Sequence, residues 1–223
     1  MSPPASWPAG RLALGVEYRG SVFHGWQAQE QPDVPTVQAA LEAALSRIAD
    51  APVRVACAGR TDAGVHASYQ VVHFDCPVPR PARAWTQGTN TLLPDDVAVT
   101  WARPVDATFH ARHSARFRRY RYLILNRSSR PALGRDGLCW AAAELDVERM
   151  RAAAPALLGE QDFSAFRAAA CQSRTPLRFV DLIRVSRHGD LVVVDLRANA
   201  FLHHMVRNIV GALLQIGRGE RDV

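Results

Sequence analysis

The sequence contains no lysine; all 27 of its basic residues are arginine. A genome-wide composition bias produces the same exclusion, so arginine abundance alone identifies nothing. Long apolar runs are also missing. Stretches such as Ile209 to Ile216 fall far short of the roughly 20 residues a membrane-spanning helix needs, which excludes that class. The four cysteines (57, 76, 139 and 171) are widely spaced, with no CxxC pair. That argues against a structural zinc site and against a dense disulfide scaffold, and leaves free thiols in a reducing cytoplasm as the expectation. The first ten residues carry three prolines and neither a basic nor an apolar signal region, so residues 1–10 are expected to be a disordered tail.

What is present is charge, unevenly spread. The chain has a formal net charge of +6. Between Arg103 and Arg130 there are eight arginines against one acid, Asp106, a local excess of +7. Such a field attracts polyanions and gives salt-sensitive binding to phosphate backbones, although a merely solvated basic face is the competing explanation.

Hydrophobic periodicity orders the first half. Leu12, Leu14, Val16 and Tyr18 alternate as a strand. A loop covers 19–35. Val37, Leu41, Leu45 and Ile48 then recur at helical spacing behind Thr36, a plausible N-cap. Residues 53–58 and 70–76 read as strands, 83–92 as a short helix before Pro94, and 97–102 as a strand. This β-α-β-β-α-β order is the split βαβ, or ferredoxin-like, arrangement. The second half starts the pattern again, with strands at 117–125 and 138–141, a helix at 147–158 and a hairpin of 179–186 with 191–198. A helix at 201–216 closes it, and the last strand of the repeat is missing. The expected division is an N-terminal half at 11–105 and a C-terminal half at 106–223.

The chemistry-bearing segment is AGRTDAGVHA, residues 58–67, between two predicted strands. Gly59 and Gly64 permit tight turns there, and Arg60 lies close enough to Asp62 for each charge to influence the other. On spacing alone, Asp62-Ala63-Gly64 is an ordinary loop turn, and a catalytic carboxylate is the second reading.

The longer strings carry more. AGRTDAGVHA, GVEYRGSVFHGWQ at 15–27, RRYRYLILN at 118–126, CQSRTP at 171–176 and ANAFLHHMVRNIVG at 198–211 together resemble the tRNA pseudouridine synthase A family (TruA). The resemblance implies an α+β protein of two ferredoxin-like, RRM-like halves whose antiparallel sheets are flanked by helices and face a basic cleft. It implies an isomerase that turns uridine into pseudouridine at positions 38, 39 and 40 of the tRNA anticodon stem-loop, in the cytoplasm, as a homodimer. It places Asp62 as the catalytic nucleophile, Tyr120 as the aromatic contacting the target uracil, and Arg60 and Arg207 at substrate-binding positions. Arg207 is expected to keep Asp62 ionised and aimed. Arg112, Arg116, Arg118 and Arg174 are expected to contact RNA, chiefly its phosphates. Strand alternation puts Arg116, Arg118, Tyr120 and Tyr122 on one face.

The reaction keeps every atom of its substrate, so it demands no redox cofactor, ATP or metal. No metal site is expected either. His203 and His204 are adjacent, and adjacent helical side chains diverge by about 100°. His110 and His113 have no nearby carboxylate or cysteine to complete a site. The family resembled continues past the IGRGERDV ending, which agrees with the missing strand. A catalytically impaired, truncated tRNA-binding protein of the same fold is therefore the alternative reading, with a metal-dependent nuclease as a more distant one.

Overall fold

The computed structural model describes residues 6–29 and 34–223. The chain is an α+β protein with two sheets and four α-helices among the described residues. It divides into two compact units, Met1–Ala115 and Arg116–Val223.

The first unit holds β1 (Gly10–Tyr18), α1 (Val37–Ala49), β2 (Ala56–Cys57), β3 (Ala67–Cys76), α2 (Gln87–Asn90) and β4 (Val97–Pro104). Its sheet runs β2-β3-β1-β4, every neighbouring pair antiparallel. The inward residues of β1 (Leu12, Leu14, Val16, Tyr18) pack with Val72, Phe74, Val97 and Val99 and with Leu41, Leu45 and Trp85. Each large apolar side chain buried in this way contributes about 1.5–3 kcal/mol. Thr36 caps α1, its hydroxyl accepting the Ala39 N–H at 3.3 Å. At the other end Arg80 donates to the Ile48 and Ala49 carbonyls, which the helix leaves unpaired.

Four expectations change here. Of the expected 53–58 strand, only Ala56 and Cys57 form β2. The Val53 N–H goes to Ser46 Oγ and the Val55 N–H to Glu42 Oε1, so α1 side chains take the backbone bonds a sheet would have made. The 83–92 helix is split into a 3-10 turn at Ala82–Trp85 and the short α2. Residues 1–5 of the expected tail lie outside the described residues, but Trp7 exchanges both backbone bonds with Arg80, and β1 already begins at Gly10. Finally, 106–115 belongs to the first unit, not the second. Arg11 donates to the Ala107 and Phe109 carbonyls, and His73 Nδ1 accepts the Ala111 N–H.

The second unit holds β5 (Arg118–Asn126), β6 (Cys139–Ala141), α3 (Val147–Ala153), β7 (Gly159–Asp162), β8 (Leu177–His188), β9 (Leu191–Ala198) and α4 (Met205–Gly217). Its sheet runs β6-β5-β9-β8-β7, with β5 and β6 parallel and the other pairs antiparallel. Met150, Ile209, Val210 and Leu213 of the two helices cover Ile124, Val192, Val194 and Leu196. Pro155 ends α3 early, and residues 154–157 tighten into a 3-10 turn. β7 is an element the periodicity does not show. α4 starts at Met205, because His204 has φ +61° and interrupts the expected 201–216 helix. No strand follows α4 in 218–223.

Candidate active site

The segment 58–67 leaves β2 and re-enters the sheet at β3. The Ala58 N–H bonds to the Val71 carbonyl at 2.8 Å. The Gly59 carbonyl accepts Gln70 Nε2 at 2.6 Å. Thr61 is held twice: its carbonyl accepts the Trp26 N–H at 3.0 Å, and its Oγ1 lies 2.8 Å from the Tyr18 hydroxyl. The Val65 N–H then returns to the Asp62 carbonyl at 3.2 Å, with Gly64 at φ +78° making the reversal. Asp62 is half-buried and Arg60 exposed. An aspartate on a turn tied at the preceding Thr61 and at its own carbonyl is presented at a fixed height, which suits a nucleophile or general base.

The loop 19–29 packs directly on this turn. A Cβ on Gly20 would meet the Val65 carbonyl oxygen at 2.0 Å, and one on Gly25 would stand 2.9 Å from the Thr61 carbonyl oxygen. The Gly20 N–H also donates to His66 Nδ1 at 3.3 Å. The sequence motif GVEYRGSVFHGWQ is thus the cradle of AGRTDAGVHA.

The charges of Arg60 and Arg112 both act on Cys57. Burial pushes the Cys57 thiol up to about 11, and the positive charges of Arg60 and Arg112 oppose that rise. The attachment of 106–115 to the first unit is what brings Arg112 there. Arg116 lies exposed before β5.

In the second unit Tyr120 sits mid-strand on β5, paired with Leu196 of β9, and its ring meets Phe201 edge-on at 5.2 Å. Arg118, Tyr120 and Tyr122 alternate with the more exposed Arg119 and Arg121, as the strand reading requires. Arg118 donates to the Asn199 carbonyl at 2.8 Å. Arg207 is exposed near the start of α4, and its charge acts on Tyr122, whose hydroxyl is raised chiefly by burial and by Cys139. Arg174 is exposed on the 171–176 loop. Arg167 and the buried Arg178 shape that loop by donating to its carbonyls and to Ser173 Oγ. His203 and His204 are not helical neighbours, and their rings stack with centroids 4.0 Å apart; the divergence argued from helical geometry does not apply to them.

Sequence reasoning missed Tyr18, Gln70 and Arg178. Gln70 carried a signal: it occupies an inward position of β3, in line with Val72, Phe74 and Cys76.

A family model described as tRNA pseudouridine synthase matches residues 15–114 and 153–223. The tRNA pseudouridine synthase A of Shewanella amazonensis is 59% identical over 213 residues, covering 96% of this chain and 81% of that protein. Its counterpart in Pseudomonas aeruginosa is 56% identical, over 96% of this chain and 74% of its own. The Legionella pneumophila enzyme of the same name is 53% identical, over 96% and 80%. With matches of this extent running through both sheets and the Asp62 turn, the chain belongs to the tRNA pseudouridine synthase family.

Proposed function

We propose that the chain isomerises uridine to pseudouridine in tRNA with Asp62 as nucleophile, and the observation that carries the assignment of Asp62 is its place on a turn fastened at Gly59, at Thr61 and at its own carbonyl inside a family match. The family is one of tRNA-modifying isomerases, and the reaction is that of the family. A uridine in a stem is inaccessible, so it is first extruded at a cost of a few kcal/mol. The Asp62 carboxylate adds to the extruded nucleotide, and the bond from ribose C1′ to uracil N1 breaks. The base rotates, a C1′–C5 bond forms, the bond to Asp62 breaks and frees the carboxylate, the C5 proton leaves and N1 gains one. Covalent attack divides one high barrier into two lower ones.

Tyr120 is assigned to the uracil, where stacking on an unpaired base is worth about 1–3 kcal/mol. Arg60 and Arg207 bind the target nucleotide. Arg112, Arg116, Arg118 and Arg174 bind phosphates; the local charge of +7 and the exposure of Arg112, Arg116 and Arg174 support this. The ferredoxin-like reading is supported in the first unit by its β-α-β-β-α-β order and its β2-β3-β1-β4 sheet. Action at positions 38–40 of the anticodon stem-loop, as a cytoplasmic homodimer, completes the proposal.

The test is nucleoside analysis of uridine-containing tRNA after incubation with the wild-type chain or Asp62→Ala. Pseudouridine is expected in uncut tRNA with wild type, and a rate at least about 10³-fold lower with the variant. Equal conversion by both would remove Asp62 from the mechanism. Wild type that binds tRNA without converting it would make the chain a binding protein only.

A further inference from the structure

Arg60 and Asp62 are each next to a backbone unit gripped by the core of the first sheet. Gln70 Nε2 donates to the Gly59 carbonyl at 2.6 Å and lies 3.4 Å from the Tyr18 hydroxyl oxygen. That hydroxyl lies 2.8 Å from Thr61 Oγ1. Gln70 donates to the phenol oxygen, either hydroxyl can supply the proton between Tyr18 and Thr61, and hydrogen bonds in such a chain strengthen one another. Tyr18 is only 4% exposed and Gln70 7%, and they occupy inward positions on β1 and β3. A glutamine amide at an inward strand position costs stability unless its hydrogen bonds are made. Here they are made to the Asp62 turn and to the tyrosine that holds it. An apolar pair at these positions would serve the core equally well but would remove the bonds to the Gly59 carbonyl and to Thr61 Oγ1.

We propose that Tyr18 and Gln70 are positioning residues for the isomerisation: as one relay from the strand core they hold the 59–61 backbone so that Asp62 meets the extruded uridine at its attack distance, without touching RNA themselves. This rests on Asp62 being the nucleophile. Orientation alone supplies a large part of catalytic power, and a displacement of about 1 Å can cost on the order of 10²-fold in rate.

The experiment compares Tyr18→Phe, Thr61→Val, the double variant and Gln70→Met with wild type and Asp62→Ala, measuring the single-turnover rate at saturating enzyme, the Kd for tRNA and Tm. Tyr18→Phe and Thr61→Val each delete one hydroxyl and keep the shape. Each is expected to slow turnover about 10-fold while Kd stays within about twofold. The double variant is expected to be no slower than either single one, because both remove the same bond. Gln70→Met is expected to slow turnover similarly. Wild-type rates in Tyr18→Phe and Gln70→Met beside an inactive Asp62→Ala would overturn the positioning role and leave the nucleophile standing. Activity in Asp62→Ala would overturn the nucleophile itself. Losses that multiply in the double variant, or that disappear once rates are corrected for the folded fraction, would reduce the pair to a general packing role and overturn the proposal.

Discussion

The ring of His73 accepts the backbone N–H of Ala111 at 3.2 Å and so fastens the segment carrying Arg112 to the outer side of β3. The imidazole is held below its ordinary pKa by burial first, then by the neighbouring His110 and Arg11, with Asp75 opposing. Protonation removes the acceptor that Ala111 uses. The folded pKa is lower than the unfolded value of about 6.5, so the unfolded state takes up the proton first as pH falls. The contribution is therefore complete above about pH 6.5 and declines as the pH drops towards the folded value. Amide exchange at Ala111, corrected for intrinsic rate, is expected to quicken in that window. His73→Leu is expected to lose the pH dependence and about 1–3 kcal/mol, because it orphans the same N–H at all pH values.

Gly25 tests whether the cradle of the Asp62 turn needs its missing side chain. Its φ is +97°, and a Cβ would stand 2.9 Å from the Thr61 carbonyl oxygen and 3.2 Å from the Ala63 nitrogen. Gly25→Ala is expected to cost about 1–3 kcal/mol through backbone strain and the clash. Because the displaced atoms flank Asp62, pseudouridine formation is expected to fall by more than the loss of folded protein explains. A variant with wild-type turnover per folded molecule would show that the loop tolerates the shift.

Much of this arrangement was legible in the residues themselves. The inward alternation of Leu12, Leu14, Val16 and Tyr18 and the cap at Thr36 needed no tertiary information, because strand period and capping chemistry are local. The segment at Val53–Val55 was not legible in this sense: its apolar alternation is real and both valines are buried, but Ser46 and Glu42 of α1 intercept its backbone. β7, with the sequence GEQD, has no apolar alternation and exists only because β8 offers an edge. Within the site, Asp62 and Arg60 stood out as a motif. Their supports did not, since Tyr18 and Thr61 are 43 residues apart and meet only when β1 and β3 pair.

The outer face of the second sheet makes a prediction about stability in acid. The Asp195 carboxylate accepts Arg119 Nε at 2.8 Å and faces Arg121 Nε at 3.4 Å, with only 13% of its side chain exposed. The Arg119 hydrogen bonds lead in holding its pKa below the ordinary carboxylate range, burial opposing and the two arginine charges helping. The folded value lies below the unfolded value of about 3.9, so this stabilisation is present above that pH and is lost as pH falls through the folded value. Asp195→Asn leaves Arg119 and Arg121 without their shared counter-ion. A loss of about 1–2 kcal/mol is expected at neutral pH, limited by the solvent exposure of both arginines. Thermal unfolding of the two proteins across pH is the measurement, and the gap in Tm is expected to narrow as the pH falls from about 3.9 through the folded value. A gap that persists there would assign the effect to shape and not to charge.

Salt dependence separates phosphate contacts from the residues that handle the target base. Each phosphate neutralised by an arginine releases condensed counter-ions, and the slope of log affinity against log salt falls by roughly 0.7–0.9 per contact. Arg112 and Arg174 are both exposed, one on each unit. Arg112→Ala and Arg174→Ala are each expected to weaken tRNA binding several-fold at low salt, to reduce the slope by about one, and to leave single-turnover conversion at saturating enzyme within about twofold of wild type. Tyr120→Ala is expected to do the reverse, slowing conversion strongly with little change in slope, because stacking on a base releases no counter-ion. Filter binding from about 50 to 200 mM salt, read beside the conversion rate, distinguishes the two classes. An Arg112→Ala variant whose slope is unchanged would remove Arg112 from the phosphate-binding set. If its conversion rate fell instead, Arg112, whose charge acts with that of Arg60 on Cys57, would join the groups that hold the target nucleotide.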